Sequence, residues 1–173
     1  MNNAYAGIGA RKTPDGMLLL FTSIAKRLEG RGYTLRSGGA PGADSAFERG
    51  VLCGDNQEIF LPWKGFNNNP SKQWFISEDA YQMAAEFHPR WAACSPAARK
   101  FHARNCYQVL GFTLIDPVDF IVCWTPGGKV AGGTGQALRI AQAHNIPVVN
   151  FGREDLLCSP MDELRKLVVG EGV

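Results

Sequence analysis

The residues with the clearest chemical meaning form one glycine-rich stretch, Ser37-Gly38-Gly39-Ala40-Pro41-Gly42-Ala43-Asp44. Glycine lets a backbone turn sharply and approach a ligand closely. The stretch follows an apolar run at 33–35 and precedes a helical pattern that starts at Asp44. The free N–H groups and the positive dipole end of that helix would face the loop. The stretch therefore predicts a binding site for a phosphate or another anion.

Two more glycine-rich loops follow predicted strands. The loop at 7–12 is either a phosphate-binding turn with Arg11 or a tight turn with two solvated charges. The loop at 125–135 ends where a helix begins, so a second helix N-terminus is available to an anion. The predicted nucleotide- or phosphate-binding residues are Gly7, Gly9, Ala10, Arg11, Ser37, Gly38, Gly39, Ala40, Gly42, Asp44, Thr125, Gly132, Gly133, Thr134 and Gly135.

Two carboxylates beside the first stretch are candidates for catalysis. Asp44 is placed to cap the second helix, and Glu48 lies one turn further on. Asp44 either caps the helix alone or accepts a hydrogen bond from a ribose or a base, and Ser37 either donates to a phosphate oxygen or caps the turn. If the chain is an enzyme, Glu48 and Asp44 are the candidate catalytic groups for cleavage of an N-glycosidic bond.

The segment 87–115 contains no acidic residue and interleaves basic with aromatic side chains. Such a pattern is typical of proteins that hold a single nucleic-acid strand by phosphate contacts and base stacking. It is equally typical of an amphipathic helix with a solvated basic face and aromatic residues in the core. The predicted basic face consists of Arg99, His102, Arg104 and Asn105.

The elements that position these residues alternate along the chain. Strands are predicted at 5–8, 33–36, 58–61, 119–124 and 147–151, and helices at 17–29, 44–53, 78–87, 96–110, 134–144 and 160–168. Alternation of this kind predicts an α/β fold, a single-domain, doubly wound, mostly parallel Rossmann-like sheet over residues 1–173. Ligands of such sheets bind beyond the carboxyl ends of the strands. The three glycine-rich loops are therefore expected to converge on one crevice.

Composition narrows the class of protein. A length of 173 residues, 45% of them hydrophobic, fits one domain with a substantial core, and a net charge of +2 does not by itself indicate nucleic acid or membrane. The longest apolar runs are too short to span a bilayer, and residues 1–4 show no secretory signal. Five cysteines without a Cys-x-x-Cys pair indicate reduced thiols in a cytoplasmic protein. No metal site and no cofactor are predicted.

The same motifs are similar to those of a known family. The stretch 37–44, followed by Ala46 and Arg49-Gly50, resembles the Ser-Gly-x-Ala-x-Gly-x-Asp signature of the DprA/Smf DNA-processing proteins. With the turns at 5–11 and 132–136, the pattern is similar to small stand-alone DprA-like proteins of phages and prophages. These belong to the SLOG superfamily, together with the LOG phosphoribohydrolases and YpsA-like nucleotide-binding proteins. The resemblance covers roughly residues 4–151.

This resemblance implies a homodimer and a ligand related to nucleotides. The function predicted is binding of a nucleotide or nucleotide derivative by the converging loops. One alternative is a DprA-like recombination mediator that binds single-stranded DNA, and another is a LOG-like N-glycosidase acting on nucleoside monophosphates. LOG enzymes carry a Pro-Gly-Gly-x-Gly-Thr-x-x-Glu motif, whereas this chain has Gln136 and Arg139 but no glutamate in that turn.

Overall fold

The computed structural model describes residues 3–153 and 159–169. The strands are β1 (Ala4–Gly9), β2 (Thr34–Ser37), β3 (Gln57–Ile59), β4 (Phe120–Trp124) and β5 (Val148–Asn150). The helices are α1 (Asp15–Glu29), α2 (Ala43–Gly50), α3 (Glu78–Phe87), α4 (Pro96–Leu110), α5 (Gly132–Ala143) and α6 (Pro160–Val169). The strands form one parallel sheet in the order β3-β2-β1-β4-β5. The predicted doubly wound α/β fold is confirmed.

The central strands are apolar because both faces of the sheet are covered. Ala6 and Ile8 of β1 and Ile121 of β4 belong to a core with α3, α4 and α5. Tyr5 and Val122, from the same two strands, belong to a second core with α1 and α2. The period-two alternation along each strand thus distributes side chains between two helical layers. None of the helices in the described ranges is long and apolar enough to cross a membrane.

The sheet has its topological switch point between β1 and β4. From β1 the chain adds β2 and β3 on one side, then returns to add β4 and β5 on the other. The N–H of Ala10 donates to the carbonyl of Trp124 at 3.1 Å, which places the loops after β1 and β4 side by side. Crevices at switch points of this kind are the usual ligand sites of open α/β sheets.

Some element boundaries differ from the sequence predictions. The prediction that Asp44 caps α2 is wrong: Gly42 is the N-cap residue, with φ 91° that favours glycine, and Asp44 lies in the first turn. The helix also ends at Gly50 instead of residue 53. Strand β3 ends at Ile59 instead of 61, because the next residues pair with Gln73 in the long loop at 63–77.

Gly50 of α2 packs directly against the backbone of α1. A Cβ at position 50 would collide with the carbonyl of Thr22 and lie 2.6 Å from the Cβ of Ala25. We expect Gly50→Ala to lower the free energy of unfolding by about 1–3 kcal/mol, the usual cost of overpacking. Gly16→Ala is the matched control, since a Cβ there meets nothing within 4 Å and alanine favours the helix. Urea denaturation measures both, and equal stability of the two variants would contradict this packing argument.

Candidate functional site

A cavity of about 880 Å³ opens at the carboxyl ends of β1 and β4. Its wall comes from the loops after β1, β2 and β4, from α4 and from the segment that follows α3. The residues singled out in the sequence that line this cavity are Gly9, Ala10, Arg11, Ala40, Asp44, His102, Arg104, Asn105, Thr125, Gly132, Gly133 and Thr134. The three glycine-rich loops therefore contribute to one crevice.

Other residues singled out in the sequence lie outside the cavity and hold the scaffold together. Gly7 lies against α2, where a Cβ would be 2.6 Å from the ring of Phe47. The hydroxyl of Ser37 donates to the carbonyl of Gly7 at 2.7 Å and so joins β2 to β1. The remaining residues outside the lining are Gly38, Gly39, Gly42, Glu48, Arg99 and Gly135.

The N–H groups of the first glycine stretch bond to the protein itself. The N–H of Gly39 donates to Oε1 of Glu48 at 2.9 Å. Gln108, with its amide oxygen turned towards donors, accepts from the N–H of Gly38 at 3.0 Å and from Nη1 of Arg104 at 2.8 Å. The N–H groups of these two glycines are thus already used within the protein, although the stretch at 37–44 carries the clearest sequence signal for phosphate binding.

Asp44 and Arg104 form a nearly buried ion pair in the cavity wall. Oδ2 of Asp44 lies 3.6 Å from Nη1 of Arg104, and each side chain is only 5% exposed. Burial raises the pKa of Asp44, and the neighbouring guanidinium opposes that rise. The carboxylate is thus shared between Arg104 and the backbone N–H groups of Ala40 and Gly9, and its ion pair joins α2 to α4.

The N-terminus of α5 provides the free backbone donors. Within the described ranges, no side chain caps this helix at Ala131, and the bond from the N–H of Gly135 to the carbonyl of Ala131 is its first backbone bond. Gly133 and Thr134 line the cavity, and Asn105 holds the turn by donating Nδ2 to the carbonyl of Gly133 at 2.8 Å. The positive end of the α5 dipole therefore lies on the cavity wall.

Positive charge dominates the lining. It contains five Lys and Arg side chains and, among the described residues, one carboxylate, Asp44. The basic side chains are those of Arg11, Arg90, Arg104, Lys129 and Arg139. His102 adds no charge at neutral pH, because burial, His88 and the nearby arginines lower its pKa to about 4. The lining is therefore suited to a ligand with several negative charges.

The predicted basic face is divided between two sides of α4. Arg104 and Asn105 are buried beside the cavity, while Arg99 lies over the ring of Trp91 at 5.3 Å and lines a smaller hollow. Phe101 stands on the cavity rim, in edge-on contact with Trp63 and Phe66. We call Trp63, Phe66 and Phe101 the aromatic rim. The guanidinium of Arg11 lies 5.8 Å from the Phe101 ring centre.

Lys129 and Arg139 are lining residues that the sequence analysis did not select as site residues. Lys129 lies inside the predicted glycine loop, so its position could have indicated it. Arg139 reaches the site from the second turn of α5, and its Nε donates to the carbonyl of Phe87 at 2.8 Å. That contact depends on the packing of α5 against α3, for which the sequence carries no signal.

Both carboxylate oxygens of Glu48 accept hydrogen bonds from the protein itself. Oε1 accepts from Gly39, and Oε2 accepts from Nδ2 of Asn69 at 2.9 Å. Burial and the neighbouring Asp44 raise the pKa of Glu48 to about 7. The folded protein therefore holds this proton over a pH range in which the unfolded chain has lost it.

This shift predicts a specific pH dependence of stability. The Glu48 contribution is complete below pH 4.5 and is lost as the pH rises to about 7, with a slope of at most about 1.4 kcal/mol per pH unit. Glu48→Gln should flatten the curve in this window, as measured by urea denaturation from pH 4.5 to 8. Glu29→Gln is the control, because hydrogen bonds from Leu52 and Cys53 lower the pKa of Glu29 and its titration falls below the window. An unchanged slope in Glu48→Gln would contradict the raised pKa.

Comparison with known proteins gives one informative match. No protein-family model and no curated protein matches the chain. Among solved structures, DNA processing protein A from Helicobacter pylori, described for its unique single-stranded DNA binding mode, aligns with a TM-score of 0.58 and 18% identity. The alignment covers 95% of this chain and 72% of that one. At this identity the likeness shows the fold alone: the chain has a DprA-like, Rossmann-like fold.

Proposed function

We propose that the cavity binds single-stranded DNA. The observation that carries this proposal is the charge of the lining, with five basic side chains and one ion-paired carboxylate around the uncapped N-terminus of α5. Phosphate groups contact the free N–H groups of α5 and the basic side chains. The ligand is thus bound mainly through its backbone.

The aromatic rim supplies the second half of the site. Phe101 lines the cavity, and Trp63 beside it is 36% exposed, so a ring is available to a base that leaves the phosphate channel. Stacking on an aromatic ring tolerates every base and stabilises a bound single strand by about 1–3 kcal/mol per base. The DprA-like fold supports the same class of ligand, since the Helicobacter pylori protein is described as binding single-stranded DNA.

The test is anisotropy of labelled oligothymidine of increasing length at several salt concentrations. Affinity should rise with length and fall with salt, with a slope of log K against log salt of about −0.7 per contacted phosphate. Arg11→Ala and Lys129→Ala should each make the salt dependence shallower, reducing the magnitude of that slope by about 0.7. Lys26→Ala, an exposed substitution in α1, is the control. Failure to bind oligothymidine at low salt would overturn the proposal.

A second candidate function is binding of a free nucleotide. It is favoured by the volume of about 880 Å³ at the switch point, which is within the usual size of a small-molecule pocket. Calorimetric titration with nucleoside mono-, di- and triphosphates separates the two. At a free-nucleotide site, the nucleotide saturates at one per chain, and oligothymidines of every length compete with it equally well. A single-strand site prefers the longer oligonucleotides.

The N-glycosidase alternative receives less support from the geometry. Glu48 lies outside the cavity lining, and Asp44 is paired with Arg104. The homodimer implied by the resemblance stays a prediction, which sedimentation of the chain with and without oligothymidine would test.

A further inference from the structure

Three potential metal ligands meet on one wall of the cavity. His88 follows α3, Cys94 follows the short turn Trp91–Ala93, and His102 lies in the second turn of α4. One ligand atom from each of the three lies within 4.8 Å of the others. Sγ of Cys94 is 3.6 Å from Nδ1 of His88, and the two imidazole ring centres are 4.3 Å apart. The three side chains come from different elements, so the fold gathers them.

The polar atoms of His88 and Cys94 make only long contacts, with each other and with the backbone of Arg90. Nδ1 of His102 is buried and has no hydrogen-bond partner among the described residues. A buried nitrogen without a partner is costly, and structures seldom retain one without a reason. Nδ1 of His88 has two long contacts, with the N–H of Arg90 at 3.3 Å and with Sγ of Cys94 at 3.6 Å. Cys94 is a free cysteine, and its thiol donates to the carbonyl of Arg90 over a long distance of 3.7 Å. Each group thus has a lone pair, or a removable proton, available for coordination.

The spacing of the cluster agrees with tetrahedral coordination. Zinc binds cysteine sulfur at about 2.3 Å and histidine nitrogen at about 2.0 Å, so the two atoms of a tetrahedral site are separated by about 3.5 Å. The distance from Cys94 to His88 matches this separation closely. Two imidazole nitrogens and one thiolate are also a ligand set that zinc and similar metals prefer over hard cations.

We propose that His88, Cys94 and His102 bind a divalent transition metal of the zinc class. Three protein ligands leave the fourth position open, as in sites that exchange a water or an anion. Both histidines line the cavity, so the metal would lie at its wall. The positive charge of Arg139 acts on both imidazoles, and that of Arg90 acts on His88. One thiolate offsets only half of the metal charge, so an anion is the favoured fourth ligand.

Cobalt(II) is the spectroscopic probe for this site. The protein is reduced, stripped with a chelator and titrated with Co²⁺, and Zn²⁺ is then added as a competitor. We expect one Co²⁺ per chain, a thiolate-to-cobalt charge-transfer band in the near ultraviolet, intense visible bands of a tetrahedral complex, and displacement by Zn²⁺. Zn²⁺ should also raise the melting temperature of the stripped protein, since it binds only the folded site.

Two pairs of variants make the experiment decisive. Cys94→Ser should remove the charge-transfer band, and His102→Ala should weaken Co²⁺ binding by at least about 100-fold, since even outer-shell changes cost 10–100-fold. Cys53→Ser and His144→Ala are matched controls at exposed positions outside the cluster. The melting temperature of each stripped variant separates a lost ligand from a lost fold.

Two outcomes would overturn the inference. One is a weak octahedral spectrum without the charge-transfer band, or no Co²⁺ binding at all. The other is a Zn²⁺-induced rise in melting temperature that is the same in wild type and Cys94→Ser. Neither result depends on oligonucleotide binding, so the metal site and the proposed function can fail separately.

Discussion

Gly133→Asp is expected to weaken oligothymidine binding about 100-fold without lowering stability, because like charges placed together in a site cost several kcal/mol. The substitution puts a carboxylate at the uncapped N-terminus of α5, where the proposal places a phosphate. A Cβ at position 133 meets no atom of the described residues within 4 Å, so this part of the fold has room for it. An acidic side chain at a helix N-terminus is itself stabilising by about 0.3–1 kcal/mol.

Gly133→Asp is informative because it should weaken oligothymidine binding while it slightly stabilises the fold. Gly133→Asn has nearly the same shape without the charge and should retain most of the affinity. Anisotropy measures binding, and thermal unfolding measures stability. Affinity that is unchanged in Gly133→Asp would show that the α5 N-terminus does not contact the ligand.

Gly39→Asp would be a poor substitute for that experiment. Gly39 has φ 65°, and a Cβ there would lie 2.7 Å from Cδ2 of Leu61. Loss of binding in that variant would therefore report strain and displacement of the loop, whatever the ligand. From the sequence alone, the glycines at 39 and 133 had looked equivalent. Only the packing around each one separates a glycine that is enclosed by side chains from a glycine that lines the cavity.

The fold was predictable because its signals are local. Apolar runs such as 120–124 and helical spacing such as 17–29 each report on one element, and their strict alternation permits few topologies. Ser95-Pro96 is a sequence typical of a helix start, with serine at the N-cap, and the Oγ of Ser95 accepts from the N–H of Ala98 at 3.2 Å. The cap assigned to Asp44 failed, because a buried partner from α4 competes for that carboxylate.

The candidate site was predictable only in part, because some of its features follow from the sheet topology and others depend on non-local contacts. The convergence of the three loops follows from a parallel sheet, in which every strand ends at the same edge. The use of the Gly38 and Gly39 N–H groups by Gln108 and Glu48 does not follow from any local pattern. Likewise, the spacing of His88 and Cys94 resembles no standard metal motif, and only the fold of the α3–α4 connection brings them together.

Arg104→Met should cause the largest loss of stability, about 3–5 kcal/mol, which is the usual result of removing one partner of a buried ion pair. Methionine fills much of the volume of the arginine stem but leaves the Asp44 carboxylate buried without its guanidinium. The hydrogen bond from Arg104 to Gln108 is lost as well. Arg99→Met is the matched control, since Arg99 lies on the same helix and lines only the smaller hollow.

A double-mutant cycle separates the charge from the packing. Asp44→Asn combined with Arg104→Met should be more stable than Arg104→Met alone, because the neutral amide removes the unpaired charge. Lowering the pH should narrow the difference in free energy of unfolding between Arg104→Met and wild type. Burial raises the pKa of Asp44, and without Arg104 to oppose that rise the carboxyl is readily protonated in acid. Additive losses in the double variant at neutral pH would mean that the two side chains are not coupled. In that case Arg104 would act by orienting Gln108, which links α4 to the N–H of Gly38, and not through the ion pair.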